Sequence, residues 1–529
     1  MKIAVVGGGI SGMSSAYLLT KGGHQVTVFE KGDYLGGHTN TVDATFEGVG
    51  TVKADTGFLV YNEEHYPNLM RLFRELAIES ADSDVSFAFS LNARGNSYAN
   101  NGADQQAPVR NEVEWGSDGA STVFAQLGNL FRPKFWCMLR DMVRFHKEAP
   151  LTMLEPEKYK NITIAEYMAT NNYSEAFKCY YLVPVMSALW STSFAVIDHF
   201  PILTLVRFFA NHDMLRIFGR PQWKTVKGGS YQYMERLAEY LENNGSEVRM
   251  STAVTRVVRY DDHVEIVTAD SPTPESFDAV VMACHPPETL NIVDSLTKKE
   301  HEVLSVFKYT PHTVYLHSDP ILMPKRRNIW AAWNYLYDDR SSSEHAVCVT
   351  YWINRIQPWL DREKTPLYVT LNPIVQPQQH LVHKVIQYEH PLYTAENESN
   401  QEYVTSIQGI RRTYYCGAYY GFGFHEDGIT SGLLAAQQID PELKKIWEVD
   451  MKRYEEVPVA NQKQNDNNNN NNNKQNSNSL LAFNKLASVA GLVFIGSMYY
   501  FKKDLQFLSP FINKIDKLLC CSYFLFKLF

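Results

Sequence analysis

The stretch that decides the fold is residues 2–30, KIAVVGGGISGMSSAYLLTKGGHQVTVFE. Its order predicts a strand, a glycine turn, a helix and a second strand that ends at Glu30. In such a turn Gly7 permits the tight bend, Gly9 lets the backbone approach a pyrophosphate, and Gly12 lets helix and strand pack closely. The first N–H groups of the helix would face the phosphates, and the Glu30 carboxylate would accept hydrogen bonds from ribose hydroxyls. The stretch therefore predicts a Rossmann-type dinucleotide site.

Composition narrows the class of protein. The chain has 529 residues, enough for two or three domains, and its 45% hydrophobic and 20% charged residues are typical of a globular protein. Lys and Arg number 50 against 58 Asp and Glu, so no basic field favours nucleic acid as a partner. Seven cysteines without a CxxC pair indicate a reducing, intracellular compartment. We expect no metal site, because the sequence holds no metal-ligand motif.

The C-terminal part has a different composition. The asparagine run 467–473 predicts a disordered linker over residues 458–479. Residues 486–501 are uncharged and bounded by lysines, slightly short of the roughly 20 residues that a spanning helix needs. We expect the apolar tail, residues 480–529, to associate with a membrane, with the enzyme body on the cytosolic side. A helix lying in the membrane interface and a helix docked on the protein's own body remain alternatives.

Further glycine-rich segments follow the first in a recognisable order. A second glycine pair, Gly36 and Gly37, comes shortly after Glu30, and a turn around Gly417 leads into a small-residue helix beyond His425. This order resembles the FAD enzymes of the flavin amine oxidase and phytoene desaturase superfamily. An arginine usually follows the pair there, whereas His38 stands here and would donate a neutral hydrogen bond. The resemblance implies noncovalent FAD, bound by Gly7, Gly9, Ile10, Ser11, Gly12, Glu30, Gly36, Gly37, His38, Thr39, Val254, Gly417, Asp427, Gly428 and Ile429.

A narrower resemblance covers about residues 1–440. It is to the predicted NAD/FAD-binding proteins associated with cyclopropane fatty acid synthases, including the N-terminal domain of the plant enzymes. The shared motifs are GGHTNT (36–41), DTGF (55–58), RPQW (220–223), AAWNYL (331–336), TYWINR (350–355) and GFHEDG (423–428).

The superfamily resemblance also implies the architecture. We expect an α/β fold with a Rossmann-type FAD-binding domain of the amine oxidase kind, an interleaved α+β substrate domain and the apolar tail. The FAD-binding domain would be discontinuous, at 1–75, 220–290 and 405–445, and the substrate domain would occupy 76–219 and 291–404.

A bound flavin implies hydride or electron transfer at its N5 atom. The many aromatic residues suit an apolar, lipid-like substrate that is desaturated, oxidised or isomerised. The predicted catalytic residues are His425, Glu426, Trp333 and Trp352, on a reactive face that would also include Asp427, Trp330, Asn334 and Tyr351.

Three other functions remain open. Amine oxidation is one, although His312 and Thr313 stand where the resemblance leads us to expect a lysine, and Lys308 comes earlier. A flavoprotein with structural FAD that partners a lipid-modifying enzyme is another. NAD-dependent dehydrogenation is disfavoured, because the C-terminal flavin segment would then have no use.

Overall fold

The computed structural model describes residues 1–91, 112–190, 197–216, 221–337, 348–392 and 395–452. The chain divides into two units, 1–457 and 458–529, and the predicted linker and tail lie outside the described residues. Among the residues that the structure describes, none of the helices combines the length and the apolar composition that crossing a bilayer requires.

A parallel five-stranded sheet forms the first layer. Strand β1 (Lys2–Val6), helix α1 (Ile10–Lys21) and strand β2 (Gln25–Phe29) confirm the predicted strand–helix–strand unit. With β9 (Glu247–Arg249), β13 (Ala279–Met282) and β19 (Thr413–Tyr415), the order is β19-β13-β1-β2-β9, every pairing parallel. The apolar side chains of β1 and β2 are buried, as expected for a covered parallel sheet. The carboxyl ends of the strands therefore meet at one edge, where α/β folds bind ligands.

A mixed seven-stranded sheet forms the second layer, in the order β18-β14-β17-β16-β15-β6-β7. Its strands are β6 (Phe87–Leu91), β7 (Val113–Gly116), β14 (Lys308–His317), β15 (Trp333–Tyr337), β16 (Cys348–Trp352), β17 (Tyr368–Leu371) and β18 (Val382–Leu392). Its strands fall within the predicted substrate ranges and those of the parallel sheet within the predicted FAD-binding ranges. The division into domains itself stays a prediction.

Smaller sheets and helices complete the body. The further strands are β3 (Thr41–Phe46), β4 (Gly50–Asp55), β5 (Ser80–Asp82), β8 (Lys224–Val226), β10 (Val254–Arg259), β11 (Val264–Thr268) and β12 (Glu275–Phe277). The further helices are α2 (Pro67–Glu75), α3 (Ala120–Val123), α4 (Pro133–Glu148), α5 (Pro156–Tyr159), α6 (Ile164–Thr170), α7 (Glu175–Phe177), α8 (Val183–Trp190), α9 (Ile202–Asn211), α10 (Tyr231–Asn243), α11 (Pro286–Ile292), α12 (Lys298–Ser305), α13 (Ile353–Ile356), α14 (Ala395–Val404) and α15 (His425–Ile439).

The apolar core positions the two sheets. One cluster joins β1, α1 and α15 around Val5, Met13 and Leu433. Another joins the helices of the substrate region to the larger sheet, and Phe208 and Tyr335 are among its buried members. We call the helical part of this second cluster, residues 133–190 and 197–211, the helical layer.

Candidate functional site

The first glycine turn lies at the carboxyl edge of the parallel sheet. The Gly7 N–H donates to the Phe29 carbonyl at 2.9 Å, and a Cβ on Gly12 would lie only 2.0 Å from the Gly7 carbonyl oxygen. Gly9 differs, because a Cβ there would meet nothing within 4 Å and its φ of −72° suits any residue. The protein therefore leaves open space beside the Gly9 backbone, where the sequence predicts the pyrophosphate.

The second glycine pair packs against this turn. The Gly36 N–H donates to the Gly8 carbonyl at 2.9 Å, and a Cβ on Gly37 would lie 3.6 Å from Gly9 Cα. Gly36 and Gly37 both have positive φ, at 117° and 58°. The structure thus brings the two predicted glycine segments together, and the positive φ values favour glycine at both positions.

Glu30 lies at the end of β2, as the sequence predicts for a ribose-binding acid. Its two carboxylate oxygens accept the N–H groups of Gly8 and Gly32, each at 2.7 Å. The Thr252 N–H donates to the Glu30 carbonyl at 2.8 Å, which brings the segment leading to Val254 alongside. The hydrogen bonds from these backbone N–H groups fix the carboxylate, and its remaining lone pairs can accept hydrogen bonds from ribose hydroxyls.

Helices α1 and α15 pack in the same direction with very close backbones. A Cβ on Gly428 would lie 2.7 Å from Ile10 Cγ2, and one on Gly432 would lie 2.1 Å from the Ser11 carbonyl oxygen. The Gly417 N–H donates to the Ser431 hydroxyl at 3.0 Å and ties the preceding turn to α15. Both helix N-termini therefore lie near the same sheet edge, where their dipoles favour negative charge.

His425, the first residue of α15, is held in a network of buried side chains. Its Nε2 hydrogen-bonds the Tyr233 hydroxyl, which is 2.5 Å from Thr39 Oγ1, and its ring stacks on Phe58 with 3.8 Å between centroids. Burial, and next the neighbouring His38, lower the pKa of His425 to about 3. His425 is thus neutral and fixed in orientation, and its catalytic role stays a prediction.

Glu426 and Asp427 connect backbone elements. Glu426 accepts the N–H groups of Asn68 at 2.8 Å and Leu69 at 3.0 Å, at the start of α2. Asp427 accepts the Phe424 N–H at 2.7 Å at the start of α15. These contacts give both carboxylates a structural role, because they satisfy helix N-termini. Catalysis by Glu426 stays a prediction that we do not carry forward.

The two predicted tryptophans lie on opposite faces of the larger sheet. Trp333 pairs directly across from Tyr351, with ring centroids 5.0 Å apart, so the two share a face. Trp352 is the next residue along the strand and therefore points to the other face. There its ring meets Trp330 edge-on at 5.6 Å. The prediction that Trp333 and Trp352 line one reactive surface is therefore wrong, because it ignored strand alternation.

We call the face that carries Trp333 and Tyr351 the inner face. The strand register extends it through Val369 and Leu371 to Val314. Trp333 and Tyr351 also pack against the cluster that contains the helical layer, together with Phe422 and Phe424 from the turn before α15. The inner face thus borders both the helical layer and the C-terminal glycine segment. The indole N–H of Trp333 is buried there without a hydrogen-bond partner.

At its edge the inner face carries a histidine cluster that the sequence did not predict. We define the cluster as His38, His312, His390 and Tyr388. His312 pairs across from Tyr388, and His390 is two residues further along β18, so all three share the inner face. The His38 ring stacks on Tyr388 at 4.6 Å and lies 5.2 Å from His390, which is 4.9 Å from His312. The cluster therefore joins the second glycine pair to the larger sheet.

Hydrogen bonds fix the tautomer of His312. The Thr313 N–H donates to Asn372 Oδ1 at 3.2 Å, so the Asn372 Nδ2 group donates to His312 Nδ1 at 2.8 Å. The His312 proton must then be on Nε2, and burial lowers the pKa of this imidazole. His312 thus has a neutral ring whose Nε2–H can donate.

His38 is likewise neutral. Burial, then His285 and His312, lower its pKa to about 4. Its Nε2 atom is buried without a hydrogen-bond partner. A ligand that met this nitrogen would satisfy a polar atom that otherwise costs free energy.

The acidic residue of the DTGF motif connects three regions. Asp55 accepts the Ser230 N–H at 2.9 Å and the Gln357 side-chain amide at 3.0 Å. Burial raises the pKa of Asp55 to about 6, although bonds from Thr41 and Ser230 act against this. The next residue, Thr56, hydrogen-bonds the Tyr388 hydroxyl at 2.8 Å. The motif therefore links β4 to α10 and to the larger sheet.

Two cysteines lie at the carboxyl edge of the parallel sheet. Cys284 follows β13 and Cys416 follows β19. Burial raises the pKa of both thiols, that of Cys284 to about 12. Both thiols are therefore protonated and weakly nucleophilic.

One group of described side chains has the spacing of metal ligands. Potential ligand atoms of Glu64, His65 and Asp213 lie within 4.8 Å of one another. Arg216 also forms an ion pair with Asp213 at 2.7 Å, so a cation already balances that carboxylate. The expectation of no metal site stays a prediction.

Comparison with known proteins gives a consistent family. Residues 10–440 match the family described as flavin containing amine oxidoreductase. Amine oxidase [flavin-containing] A of Sus scrofa is 25% identical over 267 residues, which are 50% of this chain and 46% of that protein. The 15-cis-phytoene desaturase of Synechococcus elongatus is 35% identical over 79 residues, 15% of this chain and 16% of that protein. The chain thus spans about half the length, or less, of these curated relatives.

Solved structures support the fold. Cyclohexylamine oxidase from Brevibacterium oxydans superposes with a TM-score of 0.55 at 15% identity, covering 84% of this chain and 99% of that one. This likeness, with the family match, confirms the predicted α/β fold class.

Proposed function

The chain belongs to the family of flavin-containing amine oxidoreductases, and we propose that it is an FAD-dependent oxidoreductase acting on an apolar, lipid-like substrate. Its family implies a flavin cofactor. When bound, the flavin supplies the redox step by accepting a hydride or electrons at N5. The residues of this chain bind the cofactor, orient the substrate and provide hydrogen-bond donors.

The observation that carries the proposal is the backbone cradle at the sheet edge. Gly9 borders open space, whereas a Cβ on Gly12 or Gly432 would collide with backbone oxygen within about 2 Å. The chain is therefore shaped so that two helix N-termini come close to the open space beside Gly9. Pyrophosphate suits this place, because unpaired helix N–H groups and aligned dipoles stabilise anions.

FAD fits the rest of the cradle. Glu30 is fixed where it can accept ribose hydroxyls, and Val254 lies on the segment beside it. Towards the inner face, the N-terminus of α15 would stabilise negative charge on a reduced flavin. We propose that the FAD is noncovalent, because the buried, protonated thiols of Cys284 and Cys416 are poor nucleophiles.

The substrate class is inferred from the inner face. Trp333 and Tyr351 give it an aromatic surface, and the histidine cluster beside it is polar but neutral. His38, His312, His390 and Tyr388 include no carboxylate, so the cluster gives a protonated amine no counter-charge. An apolar molecule with one hydrogen-bonding group suits this combination better than an ammonium ion. Desaturation, oxidation and isomerisation all fit such a substrate.

The placement in the cell is also a proposal. We propose that the protein is intracellular and that the tail, residues 480–529, associates with a membrane while the body stays on the cytosolic side. A lipid substrate would then be close to the enzyme. We further propose that the chain is related to the proteins associated with cyclopropane fatty acid synthases, on the six motifs quoted above.

The experiment is an absorption spectrum of the purified full-length protein, followed by anaerobic titration with lipid extracts, unsaturated fatty acids and amines. Bleaching of the oxidised flavin band by a lipid class would support the proposal, and bleaching by amines alone would replace it with amine oxidation. A flavin band that no class reduces would favour structural FAD, and a colourless protein would refute FAD binding. Acid precipitation tests the linkage, since noncovalent FAD must remain in the supernatant.

A further inference from the structure

A turn before α4 exposes its apolar side chains and buries its polar one. In the 3₁₀ turn Leu127–Phe131, Leu127 is 70% exposed and Phe131 is 72% exposed, whereas Asn129 is fully buried. The Asn129 amide donates to the Glu114 carbonyl at 3.0 Å, which holds the turn in this orientation. A turn that faces only water would have the opposite pattern, because exposed apolar surface costs free energy.

A second turn, at the other end of α4, also exposes apolar side chains and buries a polar one. In Ala149–Leu154, Leu151 is 53% exposed and Leu154 is 59% exposed, while Thr152 is buried. Thr152 donates to the Ala149 carbonyl at 2.7 Å, so its burial is satisfied by a hydrogen bond. Two inverted turns at the two ends of one helix indicate a common cause.

Helix α4 connects the two turns through an exposed stripe. Trp136, Arg140 and Lys147 are all exposed and, at 100° per residue, lie within about 40° of one another around the helix. The Trp136 indole N–H donates to the Leu130 carbonyl at 2.9 Å and fixes the first turn against α4. The helix has 16 residues and extends about 24 Å at 1.5 Å per residue.

The charge of this segment differs in sign from that of the chain. Residues 127–154 contain five basic and two acidic side chains, a balance of three positive charges, whereas the whole chain carries −8. Apolar side chains interspersed with cations suit a bilayer with anionic headgroups, in which the apolar groups enter the interface and the cations contact phosphate. Arg140 also pairs with the buried Asp141 at 2.8 Å, so the unbalanced positive charge of the segment comes from its other basic residues, Lys147 of the stripe among them. A protein partner of unspecified charge would not require this positive balance.

We propose that this region is a docking surface for an anionic lipid bilayer. The docking surface comprises Leu127, Phe131, Trp136, Arg140, Lys147, Leu151 and Leu154. It is independent of the proposed tail and of the bound flavin, since all its residues belong to one helix and its two flanking turns. Helix α4 belongs to the helical layer, whose core packs against Trp333 of the inner face, so docking would place the bilayer on the exposed side of that layer.

The test is hydrogen–deuterium exchange of the full-length protein with vesicles of phosphatidylcholine and phosphatidylglycerol, and with phosphatidylcholine alone. This readout locates contact in the sequence, so binding through the tail does not obscure it. We expect slower exchange in residues 127–154 with the anionic vesicles and less protection at high salt. Binding without protection of this segment would overturn the proposal. A second result would also overturn the proposal: slow exchange of residues 127–154 before vesicles are added that becomes fast when residues 458–529 are removed. The tail would then cover the surface.

Variants provide the second measurement. The triple variant Phe131→Ser, Leu151→Ser, Leu154→Ser changes only exposed side chains, and each buried apolar group contributes roughly tenfold to partitioning. We expect the segment to lose its protection and the anionic-vesicle affinity of a chain ending at Val457 to fall roughly a hundredfold or more. That chain is the first of the two units of the protein and contains both large sheets. The matched control is Met250→Ser, Val385→Ser, which replaces residues 50% and 46% exposed elsewhere and must leave binding unchanged. Equal affinity of triple variant and control would refute the surface, and lost protein–protein association with intact vesicle binding would assign it to a protein partner instead.

Discussion

Replacing Gly9 by alanine separates cofactor binding from folding. A Cβ at this position would meet no atom of the protein within 4 Å, and φ of −72° with ψ of 176° is ordinary for alanine. The apoprotein should therefore fold normally, and its free energy of unfolding should rise by about 0.4–1 kcal/mol, because alanine reduces the entropy of the unfolded chain. Any loss of FAD affinity must then come from the space that the new methyl group occupies.

The size of the loss follows from the helix N-terminus. A methyl group beside Gly9 would push a pyrophosphate away from the first N–H groups of α1. Losing two hydrogen bonds to a charged group, at about 1.5 kcal/mol each, costs about 3 kcal/mol. We therefore expect the Kd for FAD to rise roughly a hundredfold.

The assay combines thermal unfolding of the apoprotein with titration of FAD by flavin fluorescence. Gly12→Ala is the matched comparison, because its Cβ would lie 2.0 Å from the Gly7 carbonyl oxygen and must disturb the fold itself. We expect Gly12→Ala to lower both the melting temperature and the affinity, and Gly9→Ala to lower the affinity alone. Unchanged FAD binding by Gly9→Ala, or a less stable Gly9→Ala apoprotein, would refute the assignment of this space to pyrophosphate.

Three further changes test the site. Gly432→Ala should destabilise the protein and weaken FAD binding, because its Cβ would lie 2.1 Å from the Ser11 carbonyl oxygen. The control is Gln438→Ala at an exposed position of the same helix, which should change neither the melting temperature nor the Kd for FAD. His312→Phe should slow anaerobic flavin reduction by about tenfold through loss of one Nε2–H donor, with FAD affinity retained; an unchanged rate in stopped-flow measurements would exclude that donor. The apoprotein should lose stability as the pH falls from 7 to 5, because buried His38 and His425, with pKa values lowered to about 4 and 3, take up protons only on unfolding. Each histidine lowers the free energy of unfolding by about 2 kcal/mol at pH 5, and Asp55, with its pKa raised to about 6, offsets about 1 kcal/mol of this loss. A denaturation midpoint that stays constant over this pH range would contradict the burial of these imidazoles.

The parts that sequence predicted well are those with local causes. The turn around Gly7 and Gly12 follows from a short stretch in which strand, helix and glycine spacing are read directly. The position of Glu30 follows too, because it ends the second strand of the same unit. Such features depend on neighbours within one supersecondary unit, so the sequence alone contains the required information.

Sequence reasoning was weakest where distant segments decide the contacts. Glu426 stands in a motif that resembles a flavin-binding segment, yet its oxygens accept amides from α2, more than 350 residues earlier in the chain. Trp352 stands in an aromatic motif, yet its side chain points away from Trp333 because the pairing of β15 with β16 sets the register. Strand alternation would have separated the two tryptophans, once their strands were assumed to pair.

The histidine cluster shows why motif order cannot replace register. His38, His312 and His390 are separated by 274 and 78 positions, and only the pairing of β14 with β18 places the last two on one face. A shift of that pairing by one residue would turn both His390 and Tyr388 away from His38. The His312 tautomer depends further on Asn372, whose side-chain amide reaches the ring from the residue after a third strand, β17. The cluster from which we infer the substrate class is therefore set by the packing of the larger sheet against the second glycine pair, and the sequence singled out His38 and His312 without indicating that they meet.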